Sequence, residues 1–449
     1  MHAAASGARL PLSAAMVLER RGQPLTTSSN LRRPTGWLPR RRVIVIMLLG
    51  VLVQGFLIHR AHVPVPRALR GDEQVYHERA LDIARGRSPA PDFIWPPLGS
   101  VWIAGFYRLF GPSRLPWEIA QAALFLATGP ILYALCRRAG GSELGADVAL
   151  ALYLLDPELA AFAHYLWPEV LHLALMLLGV ALLAKSLLGP FLPVCAAVAA
   201  LRPPDAGLRA RIGRMAVFGL GIALVTLPVM ARNGVRHGTW SIANSGPFNL
   251  WVGLNDPRSK TDYGSFLEPE LERYLASQAP VAERNRRLWE RIDDLVHARG
   301  LPAILRAQLD KQYYRLLDRN SFFTDQLPGG RWGASAVEGA RARWLRRWAY
   351  AVYAIVLLLA AAGLCQPTWR EARGALALPY LFLAYNLVLF LFVHAKTRFR
   401  VPFLPVLLVF AAIAVTRLGG DDRSRRSPGR LVAGAAVAAL ALYVAFVDL

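Results

Sequence analysis

RRRVIVIMLLGVLVQGFLIHR, Arg40–Arg60, is the stretch from which the rest of the chain is read. About residues 43–59 form an unbroken apolar run directly after three arginines. A helical crossing of a bilayer needs about 20 predominantly apolar residues. Cationic residues gather on the cytoplasmic side of such crossings. The run therefore reads as an uncleaved membrane anchor, with the N-terminus in the cytoplasm and everything just past Arg60 outside. Residues 1–36, rich in Ala, Ser, Arg and Pro without periodicity, read as a disordered cytoplasmic tail.

The whole chain extends this pattern. Its 449 residues are 55% hydrophobic and only 18% charged, which places it among polytopic helical membrane proteins. The net charge of +22 is carried almost wholly by arginine, and Lys185, Lys260, Lys311 and Lys396 are the lysines. So basic a chain suggests nucleic acid. The arginines, however, sit at the ends of apolar segments, as orientation in a membrane requires, so no nucleic-acid partner is expected. Cys136, Cys195 and Cys365 are too scattered to form a disulfide framework or a metal motif.

Taken in order, further spans fall at about 117–136, 145–163, 169–184, 215–231, 347–364, 375–393, 402–417 and 431–447. Arg137-Arg138, Arg370, Arg373 and Arg423 to Arg430 then lie inside. The fold expected is all-α: about nine transmembrane helices, N-terminus in and C-terminus out. The run 98–110 is too short to cross and is placed at the outer interface, with Trp102 and Tyr107 as interfacial aromatics. The segment 187–201 carries Gly189, Pro190 and Pro193 and has cationic flanks on both sides, so it reads as re-entrant or interfacial. The organisation is then an N-terminal transmembrane catalytic module (37–231) with its first outer loop at 60–116. An extracytoplasmic domain of 114 residues (232–345) and a C-terminal transmembrane module (346–449) follow.

Three clusters carry candidate chemistry, all assigned to the outer face. The first outer loop holds GDEQVYHERALDIARG, Gly71–Gly86. Asp72 and Glu73 open a helix-like run; Asp72, Tyr76 and Ala80 follow at four-residue steps on one face, and Gly86 ends it. A carboxylate at a helix start serves well as an N-cap. At a membrane surface it can instead take a proton from an attacking hydroxyl, worth about 10² to 10⁴ in rate. The neighbouring acid would orient the acceptor or a divalent cation. Glu169, after Pro168 at the start of span four, suits a helix N-terminus, and equally the same outer cavity.

The third cluster is HAKTRFRVPFLP, His394–Pro405. Lys396, Arg398 and Arg400 sit in a short outer connection, where the charge rule disfavours cations. Snorkelling to headgroups is one explanation. The other is a phosphate gripped by guanidinium forks, with Arg232 and Asn233 joining from the end of span five. No nucleotide-type glycine loop, His metal-ligand spacing or nucleophile elbow is present in the sequence. A donor for an outward-facing transferase must therefore come from the membrane.

These pieces together resemble the membrane-embedded glycosyltransferases of the C fold, in the branch of protein O-mannosyltransferases and bacterial aminoarabinose transferases (glycosyltransferase family 39-like). The likeness rests on Asp72-Glu73, Tyr76, Ala80, Gly86 and Pro96-Pro97-Leu98 in order. It continues through Arg232-Asn233, Asn249-Leu250 to Gly253 and Asn255, and Arg398-Phe399-Arg400-Val401-Pro402, covering roughly residues 40–418. The resemblance implies transfer of a sugar from a polyprenyl-phosphate donor to an extracytoplasmic hydroxyl, with inversion. Asp72 would be the general base and Glu169 the second acid. The acceptor would be a glycan, lipid or protein, and the location the bacterial inner membrane. Two positions depart from the family. Ile94 and Trp95 replace a charged pair before the double proline, so Arg398 or Arg400 must supply the phosphate contact. The region 187–201 is shorter than two spans. Two other classes fit the same charges. One is a transporter or flippase of lipid-linked saccharides; the other is a glycan ligase working through Arg232, Arg236 and His237 of the large outer loop.

Overall fold

The computed structural model describes residues 41–62, 68–69, 71–87, 97–177, 193, 195–197, 207–257, 260–277, 279–320, 323–324, 339–374, 376–419 and 427–447. The proposed tail 1–36, the residues Ile94, Trp95 and Pro96, most of the segment 187–201 and the arginines 423–426 lie outside the described residues.

All described secondary structure is helical. The N-terminal half comprises α1 (Arg41–His62), α2 (Asp72–Ala84), α3 (Pro97–Phe110), α4 (Leu115–Arg138), α5 (Glu143–Leu155), α6 (Pro157–Phe162) and α7 (Glu169–Leu177). The middle holds α8 (Leu208–His237), α9 (Ser245–Asn255), α10 (Lys260–Ala276), α11 (Val281–Arg299), α12 (Leu301–Leu309) and α13 (Gln312–Leu317). The chain closes with α14 (Gly339–Cys365), α15 (Trp369–Arg373), α16 (Ala377–Leu389), a 3₁₀ helix (Thr397–Phe403), α17 (Leu404–Gly419) and α18 (Pro428–Phe446).

Among the described residues, five helical stretches are long and apolar enough to cross a membrane: α1, α4, α14, the continuous 3₁₀–α17 unit and α18. Helix α8 makes a sixth if its two halves, bent by 43°, count as one span. The chain is a multi-pass membrane protein. The nine-span count rests on four further stretches that the helices divide differently. The expected span 145–163 is two helices broken at Asp156, whose carboxylate caps α6 by accepting Glu158 N–H at 2.8 Å and Leu159 N–H at 3.1 Å. Pro157 lacks an N–H and clashes with a continuing helix, so the chain restarts there. Helices α5 and α16 have 13 residues each, about 20 Å at 1.5 Å per residue, against a hydrocarbon core of about 30 Å. The expected span 169–184 is described as α7 through Leu177, and 215–231 lies in the bent α8.

The spans sort into two ends. His62 at the close of α1 meets Glu118 at the start of α4, 3.0 Å apart. The 3₁₀ segment begins at this same end, and so does α14; α18 finishes here, where Arg319 donates to Phe446 O. At the opposite end Thr416 of α17 accepts Ser142 N–H at 2.7 Å, Arg417 pairs with Glu371, and Arg430 of α18 donates to Gln366 O just past α14. Arg41, Arg42, Arg137, Arg138, Arg370 and Arg373 also belong to that end by their place in these helices. Helix α17 is the axis of the bundle, packing on α14, α5 and α4. Lipid tails are as apolar as leucine, so close backbone packing through small residues drives such contacts. Gly363 of α14 lies against the Phe410 carbonyl of α17, and a Cβ at Gly434 of α18 would stand 3.2 Å from Ala362 Cα.

Candidate functional site

The site is built where α2, the turn before α7 and the 3₁₀ segment converge. Gly71, at φ 56°, is the N-cap residue of α2 and contributes no side chain. Asp72 is thus the first helical residue rather than the cap. Its side chain is 23% exposed, and Oδ2 accepts from Arg398 Nη2 at 2.5 Å. Glu73 faces inward. It is buried, and Oε1 accepts Leu166 N–H at 3.0 Å. This bond clasps α2 to the turn 163–168 and thereby sets Asp72 relative to Glu169, three residues on. The buried face of α2 is Glu73, Tyr76 and Ala80, at three- and four-residue steps, with Asp72 at its edge.

Glu169 opens α7 and is 2% exposed. Its Oε1 lies 4.0 Å from Arg398 Nε. The Arg398 guanidinium sits 5.0 Å from the Trp167 ring centroid and 5.3 Å from that of Phe399, a cation held between aromatic faces. Trp167 stacks in turn on Tyr165 at 4.5 Å, and Gln121 of α4 points its amide at Trp167 O. One guanidinium, two carboxylates and a tryptophan thus meet in one cluster.

The electrostatics follow from that crowding. Burial raises the Asp72 carboxyl, but the charges of Arg398 and Lys396 and the Arg398 hydrogen bond outweigh it and hold the group below its ordinary value. Asp72 is therefore ionised at neutral pH. Burial, then the Glu169 and Asp72 charges, push the Tyr76 phenol well up, so it stays a protonated donor beside them. Burial and the nearby Arg398 cation lower Lys396 to about 8, with Asp72 pulling the other way. Burial, Lys396 and Arg398 lower His394 to about 3, leaving a neutral imidazole.

The other predicted residues are placed elsewhere. Arg400 is 2% exposed, and its terminal nitrogens hold Glu158 Oε2 at 2.5 Å and the Asp318 carbonyl, with Tyr353 stacked 4.1 Å from its guanidinium. It ties α6 to the residue that follows α13. Asn233 donates to Ser241 O and Ile242 O at 2.8 and 3.3 Å, fixing the turn after α8. Arg232 is half-buried one residue earlier on α8. Neither makes a contact with Asp72, Glu169 or Arg398 among the described residues.

No family model, curated protein or solved structure matches this chain.

Sequence reasoning missed three participants. Trp167 carries Arg398, and Pro168-Glu169 beside it was the available signal. A second polar group lies in the interior: Glu118 is 3.0 Å from His62 Nε2 and 3.6 Å from His164 Nδ1, and His164 Nε2 is 2.9 Å from Gln54 Oε1. Its four members come from α1, α4 and the turn after α6, too far apart in sequence to form a pattern. The third is a clamp. Gln312 of α13 accepts Ala395 N–H at 2.9 Å and donates to Gly253 O at 3.0 Å, while Lys311 and Arg315 pair with buried Asp256. This clamp holds the 394–398 segment against α9. Among the described residues, no group of three or more His, Cys, Asp or Glu side chains is gathered as a metal site.

Proposed function

We propose that the protein is an integral-membrane glycosyltransferase. It moves a sugar from a polyprenyl-phosphate donor to an extracytoplasmic acceptor hydroxyl, on a glycan, lipid or protein, with inversion. What carries the reading is the convergence on Arg398 of two carboxylates from separate elements, Asp72 and Glu169. Asp72 accepts the acceptor proton as the hydroxyl oxygen bonds to the anomeric carbon. The bond from that carbon to the phosphate oxygen breaks, and its electron pair leaves with the phosphate. Arg398 and Lys396 neutralise the departing charge, guanidinium forks being suited to phosphate. Glu169 orients Arg398, and the protonated Tyr76 phenol is a donor beside them. Arg400, committed to Glu158, supports the scaffold. In this reading the chain makes nine crossings of a bacterial inner membrane, N-terminus in the cytoplasm, and the Asp72 end faces the periplasm or exterior.

The test compares surface glycans and lipids by mass spectrometry in cells carrying wild-type protein, Asp72→Asn or no protein. A glycan or lipid feature present only with the wild type supports transfer. Identical profiles in all three cells reject it.

Glu118 and His164, both buried at the Asp72 end of the bundle beside half-buried His62 and buried Gln54, favour a second reading, a transporter or flippase of lipid-linked saccharides, because buried ionisable groups in membrane proteins often line transport paths. Substrate translocation by the purified protein in vesicles, lost in Glu118→Gln and kept in Asp72→Asn, would select it.

A further inference from the structure

An apolar feature is lined by none of the residues clustered around Asp72. Between α1 and α14 runs a groove of about 360 Å³. Leu49, Leu52 and Phe56 of α1 form one wall, Leu345 and Trp348 of α14 the other, and Pro157 at the α5–α6 break lies in its floor. The whole lining is apolar or aromatic. Leu49 to Phe56 covers about 10 Å of helix, roughly two-thirds of the hydrocarbon depth of one leaflet. That depth fits an acyl chain lying along the spans.

Helical spacing places a cation beyond one end of the groove. Arg341, Leu345 and Trp348 stand at i, i+4 and i+7 on α14, so Arg341 is on the groove face, one turn nearer the site end. Trp344 occupies the same position relative to Trp348, is 60% exposed, and has its ring 5.4 Å from the Trp348 ring. Arg341 is exposed, and among the described residues no carboxylate pairs with it. Arg343 and Arg347 are also exposed but project from other faces of the helix. A guanidinium above a one-chain groove, with exposed Trp344 beside it, is complementary to a phosphate on an acyl chain, because tryptophan favours the headgroup region.

We infer that the α1–α14 groove, with Arg341 at its mouth, is a specific seat for one anionic phospholipid of the leaflet at the Asp72 end. The headgroup phosphate is held by Arg341 and flanked by Trp344, and one acyl chain fills the groove. The site is separate from the donor phosphate assigned to Arg398 and does not depend on the glycosyltransferase reading.

The experiment is native mass spectrometry of the full-length protein released from nanodiscs of mixed phosphatidylcholine and phosphatidylglycerol. One phosphatidylglycerol is expected to be retained in preference to phosphatidylcholine. Arg341→Gln should weaken that retention about tenfold, the scale of one charge-assisted hydrogen bond. Leu52→Trp, which fills the groove without touching the mouth, should weaken it too. The double variant Arg343→Gln/Arg347→Gln should retain lipid as the wild type does, and so should Asp72→Asn. Arg341 is exposed, so its variant folds and the test stands even if Leu52→Trp does not. Equal retention of the two lipids overturns the proposal. So does an equal loss in the Arg343/Arg347 double variant, which would mean a diffuse positive field. Preferential retention of undecaprenyl phosphate over phosphatidylglycerol in this groove, removed by Arg341→Gln, overturns it in favour of the carrier lipid.

Discussion

Asp72 and Arg398, 326 residues apart, form an ion pair of 2.5 Å, and Glu169 stands 4.0 Å from the Nε of the same guanidinium. A carboxylate so held is ionised but weakly basic, because the Arg398 charge and hydrogen bond stabilise its anionic form. A donor phosphate arriving at Arg398 would compete with the carboxylate and release it. Asp72→Asn should therefore do two opposite things. Transfer should fall about 10² to 10⁴-fold, while undecaprenyl phosphate should bind about tenfold more tightly, since a charge-assisted hydrogen bond no longer competes. Calorimetric titration beside a turnover assay separates the two. Weaker or unchanged binding would mean that the carboxylate and the phosphate do not share Arg398.

Arg398→Lys keeps the charge but loses the planar fork and its place against Trp167. Donor affinity should fall in Arg398→Lys and fall further in Arg398→Ala, with acceptor affinity little changed. Apparent KM for each substrate, measured separately, checks this. An equal rise in both would point to general loss of structure.

Lys396 supplies a pH dependence with a definite sign. Its folded value, lowered to about 8, means that the cation is present below pH 8 and lost above it. Donor-phosphate binding should weaken as pH rises through 8, and Lys396→Arg should flatten the profile, since arginine stays charged. Linkage runs the other way for folding. Between about 8 and the ordinary lysine value the unfolded chain binds more protons at this residue, so this group favours the folded state as pH rises there. Binding curves across that window, with and without Lys396→Arg, decide the matter.

Gly253 tests the clamp. A Cβ there would run into the backbone nitrogen of His394 and the carbonyl of Phe392. Gly253→Ala should push the 394–398 segment off α9 and cost transfer by at least tenfold while the spans still insert. A membrane-extracted protein with wild-type elution and wild-type activity would show that the clamp has no part in placing Arg398.

Arg400 separates scaffold from site. Removing one partner of its buried pair with Glu158 leaves an uncompensated charge, a loss of about 3–5 kcal/mol. Arg400→Ala should lower the unfolding temperature strongly and leave donor affinity unchanged in the folded protein, whereas Arg398→Ala, which strips buried Glu169 of its cation, should lower both. Thermal unfolding in detergent, beside donor titration, compares them.

The sequence by itself determined the class and the inventory. Long apolar runs need a bilayer, and the arginines at their ends sort the helices into one cationic end and one end bearing Asp72, Glu169 and the 394–400 segment. Those are one-dimensional properties of hydropathy and charge. Tertiary structure decided which helices are long enough to cross and which groups meet. Pro157 beside Asp156 marks a helix break already in the string; the fold added that the Asp156 carboxylate caps the helix that restarts there. The choice between Arg398 and Arg400 was invisible in the string RFR. In a 3₁₀ helix of three residues per turn, positions two apart point about 120° away from each other. One arginine therefore reaches Asp72 and the other Glu158, and only the packing around that short helix says which is which.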